Sequence, residues 1–379
     1  DHFHRFEDDL DLLVDAGFAA YRFSFSWSRL FPDGKNLNIE GLDFYKQLLD
    51  AINSRGLRPF GTAYHWDMPQ ALGQLGGWTV RENAERFGDY MGFIARTFGD
   101  GLENLVSINE PWCVAWLSHY LGEHAPGLKD LNSAASANHF VCLGHGLGVQ
   151  AARAETAKPI GIVLNFTPGR VENRSDSDIT ALERYEAVTN TWYLSAVTKG
   201  KYPHAALSEL EPLLPRNWQR DMDIIRAPID FIGINYYTTQ MLKAGGQDFP
   251  YVEIVDRNLP KTDMGWEIEP KGLADAINLV SQYAPDMPLY ITENGMASEK
   301  SISDPDRIKY YQDHLDVVAK AAQTLPIKGY FAWSLLDNFE WAFGYKKRFG
   351  LVYVDYETQQ RTKKDSFKWW QSELVRPLA

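Results

Sequence analysis

The strongest constraint on this chain is a repeated order of elements. Short apolar stretches alternate with longer stretches of helical period almost from end to end. The pattern predicts a helix over 4–16, a strand over 19–26, a helix over 41–55 and a strand over 58–64. The cycle continues with helix 80–98, strand 105–109, helix 133–155, strand 160–165, helix 179–199 and strand 230–236. It closes with helix 270–282, strand 289–292, helix 304–323, strand 328–334 and a last helix over 366–375. Glycines at 17, 56 and 99 stop three of the helices. Each strand followed by a helix implies a parallel sheet with helical crossovers.

Such a sheet is either open and doubly wound or closed into a barrel. A dinucleotide-binding sheet shows G-x-G-x-x-G after an early strand. The nearest run, Gly144-His145-Gly146-Leu147-Gly148, falls inside a helical stretch and lacks the last glycine. It reads as small residues packing against a neighbour. Polar groups instead gather at the strand ends: Arg22 within the first strand, then His65, Asn109, Glu110, Asn165, Asn235, Tyr237, Glu293 and Trp333. That distribution is the mark of a (β/α)8 TIM barrel, whose site is built by the C-terminal strand ends. The chain opens on a helix, so the first strand of the barrel is missing from the sequence. With no linker, repeat or low-complexity stretch, residues 1–379 read as a single barrel domain.

Charge and composition exclude several classes. A formal net charge of -12 argues against nucleic acid, whose phosphates need a basic face. No run of 18 apolar residues is present to span a membrane. Two cysteines, Cys113 and Cys142, are too few for a disulfide framework and suit a reducing, cytoplasmic setting. The start, Asp1-His2-Phe3-His4, has neither Met nor a signal-like apolar stretch. Asn165-Phe166-Thr167 and Asn173-Arg174-Ser175 match the glycosylation pattern, which is common by chance. The 12 tryptophans suit a large core, and some suit a sugar site, where apolar rings meet the C–H faces of a pyranose.

Two strands end in a carboxylate. Leu105-Val106-Ser107-Ile108-Asn109 runs into Glu110-Pro111, and Leu289-Tyr290-Ile291-Thr292 runs into Glu293-Asn294-Gly295. In a parallel sheet both sit at the same end. Two carboxyls across a pocket meet the needs of glycosidic bond cleavage: one protonates the leaving oxygen while the other attacks the anomeric carbon. A single strand-end Glu is more often a cap or surface residue; two, each flanked by Asn, shift the balance to function. Other features have plainer readings. His65 reads as a buried, satisfied histidine but for its strand-end position, and Trp333 could be core. Asp337 and Asn338 could shape a turn. Lys346-Lys347-Arg348 reads as a solvated face, and Cys113 as a packed thiol. No His, Asp or Glu spacing suggests a metal site.

Taken together, Ile108-Asn109-Glu110-Pro111 and Ile291-Thr292-Glu293-Asn294-Gly295 resemble the paired signatures of family 1 glycoside hydrolases, the β-glucosidase family. So do Tyr64-His65-Trp66-Asp67-Met68-Pro69, Asn235-Tyr236-Tyr237-Thr238 and the run from Trp333 to Trp341. Arg348-Phe349-Gly350-Leu351 with Val354-Asp355-Tyr356 is similar too. The resemblance runs from Asp1 to about Trp370 and implies roles. Glu110 would be the acid/base and Glu293 the nucleophile. Asn109 would bind the sugar 2-hydroxyl, Tyr237 would tune the nucleophile, and Arg22 would keep Glu293 ionised. His65, Trp66, Asn235, Glu340 and Trp341 would line the first sugar subsite, with Trp333 as its floor and Phe349 at its edge. The chemistry needs no cofactor and no metal.

The resemblance implies a retaining, exo-acting β-glucosidase that hydrolyses the terminal β-D-glucosyl residue of a β-glucoside or short β-linked oligosaccharide, with galactosides and fucosides as further substrates. Glu340 argues against 6-phosphorylated sugars, because a carboxylate repels phosphate. Two departures stand out. The family's first strand carries a sugar-binding Gln with no counterpart here, and the segment Met296–Asp304 is short for the loop after the nucleophile. A non-catalytic sugar-binding barrel and a transglycosylase on the same scaffold are the alternatives. Either a monomer or a homo-oligomer is compatible with the sequence.

Overall fold

A computed structural model describes residues 1–299 and 302–374. Its main sheet has seven parallel strands in the order β1, β2, β3, β4, β6, β9, β10. These are β1 Ala20–Ser24, β2 Arg58–Tyr64, β3 Asn104–Asn109, β4 Ile160–Phe166, β6 Phe231–Tyr236, β9 Leu289–Asn294 and β10 Ile327–Ala332. Two smaller sheets account for the rest. β5 Gly169–Val171, β7 Gln240–Ala244 and β8 Val252–Val255 form one, and β11 Val352–Val354 pairs with β12 Arg361–Lys363.

The helices between the strands lie close to their expected bounds. One differs: the stretch predicted as helix 179–199 is Asp176–Glu186, a π-helical turn Ala187–Thr191, and Trp192–Lys199. The final helix is Asp365–Leu374, and residue 375 of the expected range lies outside the described residues. The segment Met296–Asp304 also includes two residues outside them.

The sheet curls into a nearly closed barrel. Its interior is filled by Val106, Val163 and Phe231, with Tyr290 against them. Phe60 meets Tyr290 and Phe331 edge-on, and Phe231 meets Tyr290 the same way. Two glycines leave room for this packing. A Cβ on Gly161 would lie 2.6 Å from the Phe231 ring, and one on Gly233 would lie 2.6 Å from Val163. Replacing Phe231 by Ala would remove this plug at a cost of about 3–5 kcal/mol. The outer core lies between strands and helices, and holds Phe25, Trp27, Phe87, Ile94, Leu143 and Trp192 among others. The Gly144, Gly146, Gly148 run is part of it. It lies in the helix Leu131–Arg153, and a Cβ on Gly146 would fall 2.1 Å from the Ile224 carbonyl oxygen. The glycines are therefore there for close packing.

β1 and β10 are the two edges of the main sheet, and among the described residues no ladder joins them. Between them lies a cavity of about 850 Å³, lined along β1 by Tyr21 and Phe23 and along β10 by Tyr330 and Phe331. A strand laid between these two edges would pair with both and close the barrel. Arg22, Thr292 and Trp333 also line this cavity. Register sets the heights of the remaining strand ends. Asn165 pairs with Asn235, and Asn235 with Glu293, so the polar ends of β4, β6 and β9 stand level.

Candidate active site

The chain leaves β3 at Asn109 and turns sharply. Glu110 has φ 48°, in the left-handed region that residues with a Cβ avoid. Trp66, just past β2, has φ 84°, and Trp341 has φ 45°. Such conformations cost roughly 1–3 kcal/mol each and gather at functional sites. Here they mark three of the residues expected in the site.

Glu293, near the end of β9, accepts two strong hydrogen bonds. Arg22 Nη1 donates to Oε1 at 2.8 Å, and the Tyr237 hydroxyl donates to Oε2 at 2.7 Å. The ion pair is nearly dry, with side-chain exposures of 7% for Arg22 and 5% for Glu293. Burial, with Glu293 and Glu110 beside it, pushes the Tyr237 phenol well up, so it stays a proton donor. Its ring is held edge-on by Phe349 and against Trp266.

Glu110 has a different environment. Asn235 Nδ2 donates to Oε1 at 2.6 Å, and the Cys113 thiol approaches Oε2 at 3.1 Å. Both partners are neutral. Burial, and then the charge of Glu293, push the Glu110 carboxyl up to about 7. Of the paired carboxyls, one therefore has a cation and a phenol while the other has an amide and a thiol. Environments that separate two carboxyls in this way assign acid and base roles.

Asn109 ties the strands together. Arg22 Nη2 donates to its Oδ1 at 2.5 Å, Asn235 Nδ2 approaches the same oxygen at 3.2 Å, and its Nδ2 lies 3.3 Å from His65 Nε2. Thr292 in turn donates to Asn235 Oδ1 at 2.7 Å and fixes the orientation of that amide. Burial, with Arg22 nearby, drives His65 down to about 3. It is therefore a neutral ring at physiological pH. Trp333 and Trp341 lie nearly parallel to it at 6.1 and 6.0 Å between centroids, and Trp66 packs on Trp341 at 4.7 Å.

Glu340 is the third carboxyl. Its Oε2 is buried with no partner among the described residues. Burial, then Glu293 and Glu110, push it up to about 8. The segment that carries Glu340 and Trp341 is anchored by Asp337. That side chain accepts from Arg348 at 2.6 Å and from Lys364 at 2.9 Å, and both its oxygens are out of water. Asp337 is thus more than a turn residue. Arg348 corrects the reading of 346–348 as a solvated face: its guanidinium pairs with Asp337 and lies over Tyr353 and Tyr356.

The structure brings all twelve expected residues into one continuous set of contacts and electrostatic neighbours. Phe349 joins through Tyr237 and is itself 1% exposed. Sequence reading missed Thr292, Trp266, His124, whose ring centroid lies 5.1 Å from that of Trp66, and the bond made by Cys113. The last had a signal. Cys113 follows Glu110 at i+3, and Pro111 opens a helical turn, which places them on one face. Among the described residues, no group of three His, Cys, Asp or Glu is placed to hold a metal ion.

The sequence matches the model of glycosyl hydrolase family 1 over residues 1–376. The chain belongs to that family. Among its relatives is the β-glucosidase A of Thermotoga maritima, 42% identical over 98% of this chain and 85% of the relative. Another is the bifunctional β-D-glucosidase/β-D-fucosidase of Bifidobacterium breve, 42% identical over 98% of this chain and 86% of the relative. Solved family 1 structures agree. The T. maritima family 1 β-glucosidase superposes with a TM-score of 0.95 at 41% identity, covering 99% of this chain and 86% of that one. The same enzyme in complex with deoxynojirimycin gives 0.95 at 41% identity, over 99% and 87% of the two chains. The family 1 barrel is thus shared, and no helix among the described residues is long and apolar enough to cross a membrane.

Proposed function

We propose that this family 1 chain is a retaining, exo-acting β-glucosidase. The observation that carries the reading is the contrast between Glu293, held by Arg22 and Tyr237, and Glu110, held by neutral donors and pushed up to about 7. Relatives named β-glucosidase and β-fucosidase support glucosides and fucosides as substrates.

In the first step a Glu293 oxygen attacks the anomeric carbon while the bond to the leaving oxygen breaks. Glu110 gives its proton to that oxygen, and the sugar is left as an ester on Glu293. Esterification removes the Glu293 charge, which is the second largest cause raising Glu110. The Glu110 carboxyl then falls toward the ordinary carboxylate range and suits the base role. In the second step water attacks the same carbon, Glu110 takes its proton, and Glu293 leaves as carboxylate. Two inversions return the β configuration.

The contacts of Asn109 with Arg22 and His65 support a role for its amide in binding a sugar hydroxyl. The Glu340 oxygen, unpartnered among the described residues, supports a hydroxyl ligand. His65, Trp66, Trp333 and Trp341 offer the aromatic surface against which the sugar packs. Cys113 and Cys142 are both buried and unpaired, which supports a reducing compartment.

The test is hydrolysis of a series of aryl β-glucosides by the protein and its Glu110→Ala variant. The variant should lose about 10²–10⁴-fold on poor leaving groups, keep activity on activated ones in the first step, and form β-glucosyl azide when azide is added. Sugar binding without turnover in the unaltered protein would favour a non-catalytic barrel instead.

A further inference from the structure

Glu110 Oε2 has one donor among the described residues, the thiol of Cys113 at 3.1 Å. Cys113 is 6% exposed and begins a π-helical turn, Cys113–Leu117, three positions after Glu110 with its left-handed backbone. Single π-turns recur at functional sites because they re-aim side chains. The backbone N–H of Val114 returns to the Glu110 carbonyl at 3.3 Å, so the two residues share one rigid turn. The other carboxyl oxygen, Oε1, is already occupied by the Asn235 amide nitrogen, which can only donate. Oε2 is therefore the oxygen left to carry the transferable proton, and Cys113 sits against it.

We infer that Cys113 is a positioning residue for the acid/base: its thiol fixes the Glu110 carboxyl while stabilising the ionised form only weakly. An S–H group is a poor donor. A hydroxyl at this place would bond the carboxylate more strongly and make Glu110 a stronger acid, ionised too early to protonate a leaving group at neutral pH. An apolar side chain would do the reverse and make the later base step harder. The thiol lies between, which suits a carboxyl that must both give and take a proton in one cycle. Burial pushes the Cys113 thiol itself well up, so it remains S–H throughout. This inference rests on Glu110 being the acid/base.

Other groups set the same proton. Glu293 faces Glu110 from β9, Arg22 from β1, Asn235 from β6 and Tyr237 just past its end. Glu340 faces it from the segment after β10, and Glu123 acts on Cys113 from beyond the π-turn. None of them changes in the variants below, so the comparison isolates the thiol.

The test is the basic limb of kcat/KM against pH for an unactivated phenyl β-glucoside, measured in Cys113→Val, Cys113→Ala and Cys113→Ser. Val and Ala should move the limb up by about half a pH unit, and Ser should move it down. Opposite shifts from apolar and hydroxyl replacements are not expected of a residue that only packs. A limb that stays in place in all three, whatever happens to kcat or melting temperature, overturns the inference. Glu110→Gln on a dinitrophenyl β-glucoside supplies the control. If that variant keeps the wild-type limb, the limb belongs to another group, and the assignment of Glu110 falls together with the inference. If it abolishes the limb while the Cys113 variants leave it fixed, the inference alone falls.

Discussion

Arg22 Nη1 lies 2.8 Å from Glu293 Oε1, and the pair is almost wholly shielded from water. A carboxylate taken out of water costs several kcal/mol unless a partner compensates. Arg22 is that partner, and it comes from β1, an edge strand of the main sheet. The same guanidinium reaches Asn109, so one side chain links the ends of β3 and β9 through β1. The barrel therefore ties its chemistry to its stability at this point.

Removing the cation exposes that coupling. Arg22→Leu leaves Glu293 buried and unpaired, and should destabilise the protein by about 3–5 kcal/mol. Adding Glu293→Gln to the same chain should recover part of the loss, because the uncompensated charge is gone. Denaturant unfolding of the two single variants and the double variant checks this; a strictly additive double variant would contradict it.

Tyr237→Phe isolates a single hydrogen bond. The ring keeps its contacts with Phe349 and Trp266, while Glu293 Oε2 loses its 2.7 Å donor. A hydrogen bond to a charged group is worth about 1.5–3 kcal/mol, so kcat/KM should fall roughly 10–100-fold. Steady-state kinetics on an aryl β-glucoside measures it, and an unchanged kcat/KM would mean that the phenol does not act on the nucleophile.

Much of this was legible in the sequence because the barrel writes its site at strand ends. Tyr64-His65-Trp66, Asn109-Glu110 and Glu293-Asn294 each follow an apolar run, and parallel pairing alone brings them level. Arg58–Tyr64 was legible to the residue, since it lies between Gly56 and a polar triplet. The short sheet of β5, β7 and β8 was not. Its strands have three to five residues and half-buried faces, too little for a periodic signal. The π-turn at Ala187–Thr191 was hidden because hydrophobic period does not distinguish one extra residue per turn. Arg348 reads as solvated beside two lysines. Its anion, Asp337, is 11 residues away and becomes a partner only when the segment folds back.

Glu340 gives a pH dependence of stability. Its carboxyl is pushed up to about 8 in the folded protein from an ordinary value near 4.5. Ionising it costs more folded than unfolded, so its contribution is fully present below about pH 4.5 and is lost as pH rises toward 8. Glu340→Gln removes the charge, and should raise the melting temperature relative to the unaltered protein more at pH 8 than at pH 5. Above about pH 8 the same variant should bind glucose-like ligands less well, since the amide cannot replace the ionised carboxylate as a double acceptor. Equal melting differences at both pH values would contradict the assignment of a raised pKa.

The most direct measurement on the central claim is covalent trapping. The protein is incubated with a 2-deoxy-2-fluoro-β-glucoside bearing an activated leaving group, digested, and its peptides are mapped by mass spectrometry. The fluorine slows both steps, and the good leaving group lets the first proceed, so the ester accumulates. The expected result is one fluoroglucosyl group on Glu293 with loss of activity. An intact, active protein, or a label on any other residue, would contradict Glu293 as the nucleophile.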